Sequence, residues 1–384
     1  MIKVVLRRIN VMIVAFLLSI AIVSAQESLN LKFKSSIVYS GIEVGSKGVK
    51  LSVVEIGKNA RSKGAFNILK DSSVNTDFIS FSPSTFHATL DALYGLYATA
   101  TDTYKISPHR VFTVVSSGVK MQAEKENKTN WINNLIDSFK ILVKDPARHV
   151  EVASVMEEAR LSHLGIVPEE KRYSTFLIDI GSGNTKGGFF PDGTTKNFYL
   201  FQLNWGTKST NNEADKRCEN DKSLSNYSKQ LGRVLVGAEN SDIIYAVNAS
   251  GAYPLSDYIA VSGGIAWSIA TLLHPDQVDE TIIPVTFDEL EKFNSRLYTN
   301  FNSLSDSVLV KNFQADNTDK VAMLKGIRSV HKVFDQKSLM AGTGLLIKIM
   351  RQFVSVYETK QFFLIKNGQV GWISAYVDEN VASK

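Results

Sequence analysis

The chain is poor in cysteine, with Cys218 as the only one among 384 residues. An internal disulfide cannot form, and the sequence offers no cysteine cluster for zinc. Its six histidines are scattered and lack the spacing of metal ligands. We interpret Cys218 as an inert thiol in a polar segment, and the histidines as ordinary surface or core residues.

An excess of one charge is also missing from most of the chain. The formal net charge is +5, but three of the basic residues, Lys3, Arg7 and Arg8, stand at the extreme N-terminus. Without them the charge falls to +2. Such a near-neutral protein gives no electrostatic argument for nucleic acid or for an acidic membrane surface. We therefore expect no nucleic-acid partner.

The longest apolar run, over 11–23, has 13 residues and is too short to span a bilayer comfortably. It follows the basic start and precedes the small residues Ser24 and Ala25. This order is typical of a secretion signal over 1–25, cleaved before Gln26, which would leave no stable membrane span. An uncleaved anchor is the alternative. Both interpretations put the folded part outside the cytoplasm, in an exported protein that is periplasmic or secreted.

The remaining 359 residues suit two domains better than one. Alternating strand-like and helical patterns predict an α/β chain. Strands are predicted at 36–43, 49–56, 110–115, 150–153, 175–180, 187–190, 197–203, 258–262 and 361–365. Helices are predicted at 84–101, 130–143, 155–163, from the glycine pair 263–264 through 273, 286–297 and 337–353. The order of the first half repeats in the second, so we predict one lobe over 36–171 and a related lobe over 172–378. The polar stretch 207–229 is expected to be a surface insertion.

Two glycine-rich turns, 136 residues apart, are the most informative feature of the sequence. Each follows a hydrophobic strand that carries a carboxylate, Glu43 in the first case and Asp179 in the second, and each leads into another strand. Glycine lets backbone N–H groups approach a phosphate closely, and successive amides in a tight turn form an anion-binding concavity. Two such hairpins, one per lobe, predict a phosphate chain clamped between them.

The order of these and other segments resembles the exopolyphosphatase and guanosine pentaphosphate phosphohydrolase family, within the actin, sugar kinase and heat-shock ATPase superfamily. The resemblance covers nearly the whole chain after the signal. The segments that carry it are the two turns, 114–120, 150–165 with its paired glutamates, the glycine pair after 261–262, 337–350 and 366–371. The fold implied is two ribonuclease-H-like, actin-like lobes with a ligand cleft between them.

The resemblance also implies roles for individual residues. Glu158 matches the glutamate that activates water, while Asp179 and Glu43 match positions that hold a metal, which would be Mg²⁺ if the protein is an enzyme. Phosphate-binding positions would be Gly45, Ser46, Lys47, Lys120, Gly181, Ser182, Gly183, Asn184, Thr185, Lys186, Gly263 and Gly264. The ligand implied is polyphosphate or another phosphoanhydride, whose terminal phosphate such a site would hydrolyse.

Several positions depart from the family pattern. Lys186 stands where the family commonly has glutamate, Glu43 replaces aspartate, Lys47 replaces asparagine and Lys120 replaces arginine. Lysine neutralises phosphate, so binding can survive, but losing a metal-positioning carboxylate removes stabilisation of the transition state. Three hypotheses stay open: an active exopolyphosphatase-type hydrolase, a non-catalytic phosphate or nucleotide sensor, and an actin-like scaffold. The sequence does not fix the oligomeric state, and a homodimer is compatible with it.

Overall fold

The structure, a computed structural model, describes residues 29–57, 66–252, 255–311, 317–354, 359–366, 368 and 371–382. The predicted signal over 1–25 lies outside this part of the chain. Among the residues described, no helix combines the length and apolar character that a membrane crossing requires.

Eleven strands form two sheets in the described residues. They are β1 Ile37–Val44, β2 Gly48–Ile56, β3 Phe66–Asn75, β4 Val111–Val115, β5 Glu151–Val152, β6 Thr175–Ile180, β7 Thr185–Phe189, β8 Tyr199–Leu203, β9 Tyr258–Ser262, β10 Ile282–Val285 and β11 Gln361–Ile365. All the strands predicted from the sequence are present, while β3 and β10 were not predicted.

The α-helices of the same ranges cover both sheets. They are α1 Pro83–Ala98, α2 Ser117–Lys125, α3 Thr129–Leu142, α4 Val155–Ile166, α5 Thr207–Arg217, α6 Leu224–Ala238, α7 Ile244–Ser250, α8 Gly264–Leu273, α9 Phe287–Thr299, α10 Asp306–Lys311, α11 Asn317–Val333, α12 Gln336–Arg351 and α13 Gly371–Ala382. The predicted helices are present, with ends that differ by a few residues.

The first sheet has the strand order β3-β2-β1-β4-β5. The first three strands form an antiparallel meander, and β4 and β5 add to β1 in parallel. Alternate residues of β1 and β2, such as Ile42 and Leu51, face a core that Leu93 of α1 and Phe139 of α3 complete. Successive side chains of a strand point to opposite faces of the sheet, and in this sheet both faces are covered by other elements.

The second sheet, β10-β11-β9-β6-β7-β8, repeats this plan. The meander β6-β7-β8 is antiparallel, and β9 and β11 extend it in parallel from β6. Its core includes Phe176 and Ile178 of β6, Leu231 of α6 and Leu346 of α12. The predicted α/β class, with two lobes of related sheet topology, is confirmed.

The predicted division of the chain gave residues 172–378 to the second lobe. The C-terminal helix α13, however, packs on the first lobe. A Cβ placed on Gly41 of β1 would lie 2.1 Å from Ile373 Cγ1, so the helix rests directly on the first sheet. Arg160 of α4 also makes two hydrogen bonds, of 2.8 and 2.7 Å, to Glu379. The chain therefore returns to the first lobe, because the outer face of that sheet needs an apolar cover and α13 provides Trp372 and Tyr376.

The stretch 207–229 is not the surface insertion that its polarity indicated. It forms α5 and the beginning of α6, with Thr210, Ala214 and Tyr227 buried. The Tyr227 hydroxyl donates to the carbonyl of Lys337 in α12 over 3.1 Å. Hydropathy misses this segment because it is anchored by a threonine, an alanine and one tyrosine instead of a row of large apolar residues.

Candidate ligand cleft

The two glycine-rich turns lie opposite each other, as the sequence predicted. A Cβ placed on Gly183 would lie 3.6 Å from Ser46 Oγ, which belongs to the other turn. One placed on Gly118, at the start of α2, would lie 3.3 Å from Ser46 Oγ and 3.2 Å from Asn184 Oδ1. The turns and the N-terminus of α2 therefore meet in one place between the two sheets.

The second turn is held from behind by the beginning of α5. The amide of Thr207 donates to Gly181 O over 2.9 Å, and that of Lys208 donates to Ser182 O over 2.8 Å. The Ser209 hydroxyl donates to Gly183 O over 3.0 Å. The C=O and N–H of a trans peptide point in opposite directions, so the amides that follow the first two carbonyls face away from α5. The stretch expected to be an insertion thus fixes the direction of the turn.

The first turn is held by the end of β3. The carbonyl of Lys47 accepts hydrogen bonds from the amides of Thr76 and Asp77, at 3.0 and 3.2 Å. Inside the turn, the Gly45 amide donates to Gly48 O over 2.9 Å. A strand that the sequence analysis did not identify therefore sets the shape of one half of the cleft.

Four turn amides have no acceptor among the described residues. They belong to Ser46 and Lys47 in the first turn and to Ser182 and Gly183 in the second. Buried or half-buried N–H groups are seldom left unpaired, and neighbouring ones in a tight turn attract anions. The facing turns consequently offer N–H donors to an anionic group placed between the lobes.

Glu158 lies in the first turn of α4 and points into the protein, with 3% of its side chain exposed. Ser154 caps this helix by accepting a hydrogen bond from the Glu157 amide over 3.1 Å. Glu158 Oε2 accepts a hydrogen bond of 2.6 Å from the amide of Ser117, the first residue of α2. An amide at a helix N-terminus stabilises a carboxylate through its hydrogen bond and through the helix dipole.

Lys186 bridges Glu158 and Asp179. Its Nζ lies 2.9 Å from Glu158 Oε1 and 2.9 Å from Asp179 Oδ2, and 6% of its side chain is exposed. The remaining oxygen of Asp179, Oδ1, accepts from the Ser262 hydroxyl over 3.1 Å. All four carboxylate oxygens therefore have a partner within the protein, and two of those partners are the same ammonium.

This arrangement fixes the charge of Lys186. Burial acts to lower its pKa, but the negative charges of Asp179 and Glu158 outweigh burial and hold the pKa above the ordinary value. For Glu43, in contrast, burial raises the pKa; Lys50 and Lys186 act against this rise, and the Glu158 charge adds to it. The cleft consequently combines a permanently charged lysine with a carboxyl group that resists ionisation.

The two hairpins carry equivalent cross-strand pairs. Asp179 is directly opposite Lys186 across β6 and β7, and Glu43 is directly opposite Lys50 across β1 and β2. Opposite residues in an antiparallel pair share a face of the sheet and lie close together. The pairs differ in burial, since Lys50 Nζ lies 4.0 Å from Glu43 and 36% of its side chain is exposed.

Other predicted phosphate residues serve structural contacts. The Thr185 hydroxyl donates to Trp205 O over 2.7 Å, and Gly264 packs against Phe334. Gly263 has φ +97°, and a Cβ there would lie 2.3 Å from Ile180 O and 2.9 Å from Asp179 Oδ1. Glycine is required at Gly263 because the end of β9 passes so close to β6.

Two predicted lysines differ in their contacts. The Nζ of Lys47 reaches the second lobe, where it donates to Val333 O over 3.3 Å and lies 4.7 Å from the centre of the Phe334 ring. Lys120 is half-buried, and among the described residues its side chain makes no hydrogen bond or ion pair. It lies three residues after Ser117 in α2 and so shares that helix face. Lys120 is the site lysine that remains free for an anion.

The residues present do not fit the Mg²⁺ that the resemblance implied. The described residues contain no group of three His, Cys, Asp or Glu side chains arranged to hold a metal. Asp179 and Glu158 already share the ammonium of Lys186, and Glu43 has a raised pKa. Mg²⁺ needs near-octahedral oxygen ligands, most of which are ionised carboxylates or water.

Sequence reasoning missed several partners in this cleft. Ser117 and Ser262 bind the two carboxylates, and Lys208 of α5 forms an ion pair with Asp77 across the lobes. One signal was available in the sequence: Glu43 and Asp179 are each followed seven residues later by a lysine. In a hairpin with a two-residue turn at its centre, that spacing puts the carboxylate and the lysine directly opposite each other on one face.

The fold of most of the chain matches known structures. No protein-family model and no curated protein matches the sequence. The Ppx/GppA family member from Aquifex aeolicus superimposes with a TM-score of 0.56, over 91% of this chain and 99% of that chain, at 16% identity. The chain has the Ppx/GppA fold. An exopolyphosphatase from Cytophaga hutchinsonii gives a TM-score of 0.53, with coverage of 89% and 98% and 14% identity.

An exopolyphosphatase-like protein is similar to the same extent, with a TM-score of 0.57, coverage of 91% and 100%, and 14% identity. The resemblance that the motifs indicated is thus confirmed for the Ppx/GppA fold. At these identities the match establishes the fold, and the chemistry has to be argued from the residues in the cleft.

Proposed function

We propose that this chain is an exported protein that binds polyphosphate or another phosphoanhydride in the cleft between its lobes, without hydrolysing it. The observation that carries the proposal is the facing pair of turns, whose amides at Ser46, Lys47, Ser182 and Gly183 have no acceptor among the described residues. Neighbouring phosphates of such a chain lie a few ångströms apart, so N–H donors from the two facing turns can bind successive phosphates. The export rests on the N-terminal sequence alone.

Hydrolysis is left out of the proposal because Glu158 is occupied. A general base needs a carboxylate oxygen within hydrogen-bond reach of the attacking water. Here Oε1 is bound to the Lys186 ammonium and Oε2 to the Ser117 amide. The binding hypothesis is therefore favoured over the hydrolase, and no feature of the cleft calls for an actin-like scaffold.

Isothermal titration calorimetry with polyphosphate, ATP, guanosine tetraphosphate and orthophosphate tests the binding. We expect at least one compound with a phosphoanhydride bond to bind more tightly than orthophosphate, because a chain can reach both turns. Lys120→Ala should weaken that binding about tenfold, since it removes a cation from the first turn of the helix whose N-terminus meets both turns.

The control is Lys125→Ala, at the other end of α2, where the lysine is exposed. It removes the same charge from the same helix and should leave the affinity unchanged. Equal losses in the two variants would reduce the effect to general electrostatics, and failure of all four compounds to bind would refute the proposal.

A further inference from the structure

Two carboxylates of the cleft converge on one point, and a positive charge already occupies it. Glu158 comes from α4 and Asp179 from β6, and each directs one oxygen at the same Nζ from 2.9 Å. Two carboxylates from different elements that share one centre have the arrangement of ligands around a bridging cation. In this chain the cation is covalently attached, through the side chain of Lys186.

The position of Lys186 is not that of an ordinary cross-strand pair. Lys50, at the equivalent place in the first hairpin, lies 4.0 Å from its carboxylate and stays partly in solvent. Lys186 instead enters the interior and reaches a second carboxylate on a helix. Burying an ammonium is unfavourable unless its partners are close and ionised, so this insertion depends on both carboxylates.

A divalent ion beside this ammonium would find every oxygen of the two carboxylates already paired. The two oxygens of Glu158 and Asp179 that do not face Lys186 are taken by Ser117 N and Ser262 Oγ. Added charge would also be unfavourable, because a doubly charged ion would lie within a few ångströms of a fixed ammonium. Metal binding would require the Lys186 ammonium to move away, which would break its ion pairs with Glu158 and Asp179.

We propose that the Lys186 ammonium is a resident cation that takes the place of a divalent metal between Glu158 and Asp179, and that Lys186→Glu converts this place into a divalent-cation site. The inference deepens the proposed function. It rests on that function in one respect, namely the conclusion that the phosphate ligand binds without a metal. A glutamate at this position leaves the same strand in the same direction and would bring a third carboxylate to the shared point.

The test uses Mn²⁺ alone, with no phosphate compound, and measures binding to the full chain by titration of the Mn²⁺ paramagnetic signal. Wild type should show no site that depends on Asp179. Lys186→Glu should bind Mn²⁺ at least about tenfold more tightly than wild type, and Asp179→Asn in that background should abolish the gain. Thermal unfolding should agree: Mn²⁺ should raise the midpoint of the Lys186→Glu protein at constant ionic strength and leave that of wild type unchanged.

Lys186→Gln covers the case in which Lys186→Glu does not fold. It removes the ammonium without adding charge and is expected to bind Mn²⁺ more tightly than wild type. A wild-type site lost in Asp179→Asn, or equal Mn²⁺ affinities in wild type and the variants that fold, would overturn the inference. Because no phosphate is present, either result leaves the phosphate-binding proposal to its own calorimetric test.

Discussion

At the scale of single residues, Lys186 decides the chemistry of the cleft. The hairpin register that puts it opposite Asp179 follows from the sequence, since the two strands and the turn were predicted closely. Its second contact, to Glu158, could not be predicted, because it depends on how α4 lies against β7. In three dimensions Lys186 therefore occupies one oxygen of Glu158, the carboxylate that the resemblance singled out.

The Lys186 ion pairs should matter strongly for stability. Lys186→Met leaves two buried carboxylates facing each other without a cation, and removing one partner of a buried pair costs about 3–5 kcal/mol. We expect a loss of that size in the free energy of unfolding, measured by chemical denaturation with tryptophan fluorescence.

Lys50→Met is the matched control, because it deletes the equivalent lysine of the other hairpin. Its pair is longer and partly exposed, so the change should stay below about 1 kcal/mol. Equal losses in the free energy of unfolding would show that the buried ion pairs of Lys186 stabilise the protein no more than the partly exposed pair of Lys50.

At the scale of elements, local sequence patterns predicted the features that depend on residues close together in the chain. The helix start at Ser82 is an example: its side chain accepts from the Thr85 amide at 3.3 Å while the Thr85 hydroxyl accepts from the Ser82 amide at 3.2 Å. The half-exposed edge strand β3 escaped prediction because Phe66–Asn75 is polar and lacks a clear alternation. The packing of α13 on the first sheet also escaped, since no local signal marks a helix that returns across the molecule.

The contact between α4 and α13 supports this return and leads to a prediction. A Cβ placed on Gly165 of α4 would lie 2.0 Å from the carbonyl oxygen of Gly371, which is backbone and cannot move aside alone. Gly165→Ala should therefore cost about 1–3 kcal/mol through overpacking, and it should shift the helix that carries Glu158. Chemical denaturation measures the first effect.

Gly95→Ala is the control for this substitution. Gly95 also lies inside a helix, α1, but a Cβ there would have nothing within 4 Å. Replacing it should stabilise the protein by up to about 1 kcal/mol, because alanine favours helix. Equal destabilisation by both substitutions would show that the close approach of α4 and α13 is not what makes alanine unfavourable at Gly165.

At the scale of the whole molecule, the two lobes are joined around the cleft by charged and polar contacts. Lys47 reaches Val333, Lys208 pairs with Asp77, and Lys186 connects Asp179 of the second sheet to Glu158 of α4. The sequence predicted the two lobes and the facing turns through their duplication. It could not predict that Lys47, Lys186 and Lys208 would hold the lobes and carboxylates, while Lys120 makes no ion pair with any described residue.

The central claim is that this cleft holds a phosphate chain and leaves it intact, and ³¹P NMR of the protein with polyphosphate tests it most directly. One spectrum reports both events, since bound phosphates broaden or shift and released orthophosphate gives its own resonance. We predict a bound signal and no growth of orthophosphate over the protein-free control, with Mg²⁺ or with EDTA. Orthophosphate that accumulates with wild type and fails to accumulate with Glu158→Gln would contradict the account.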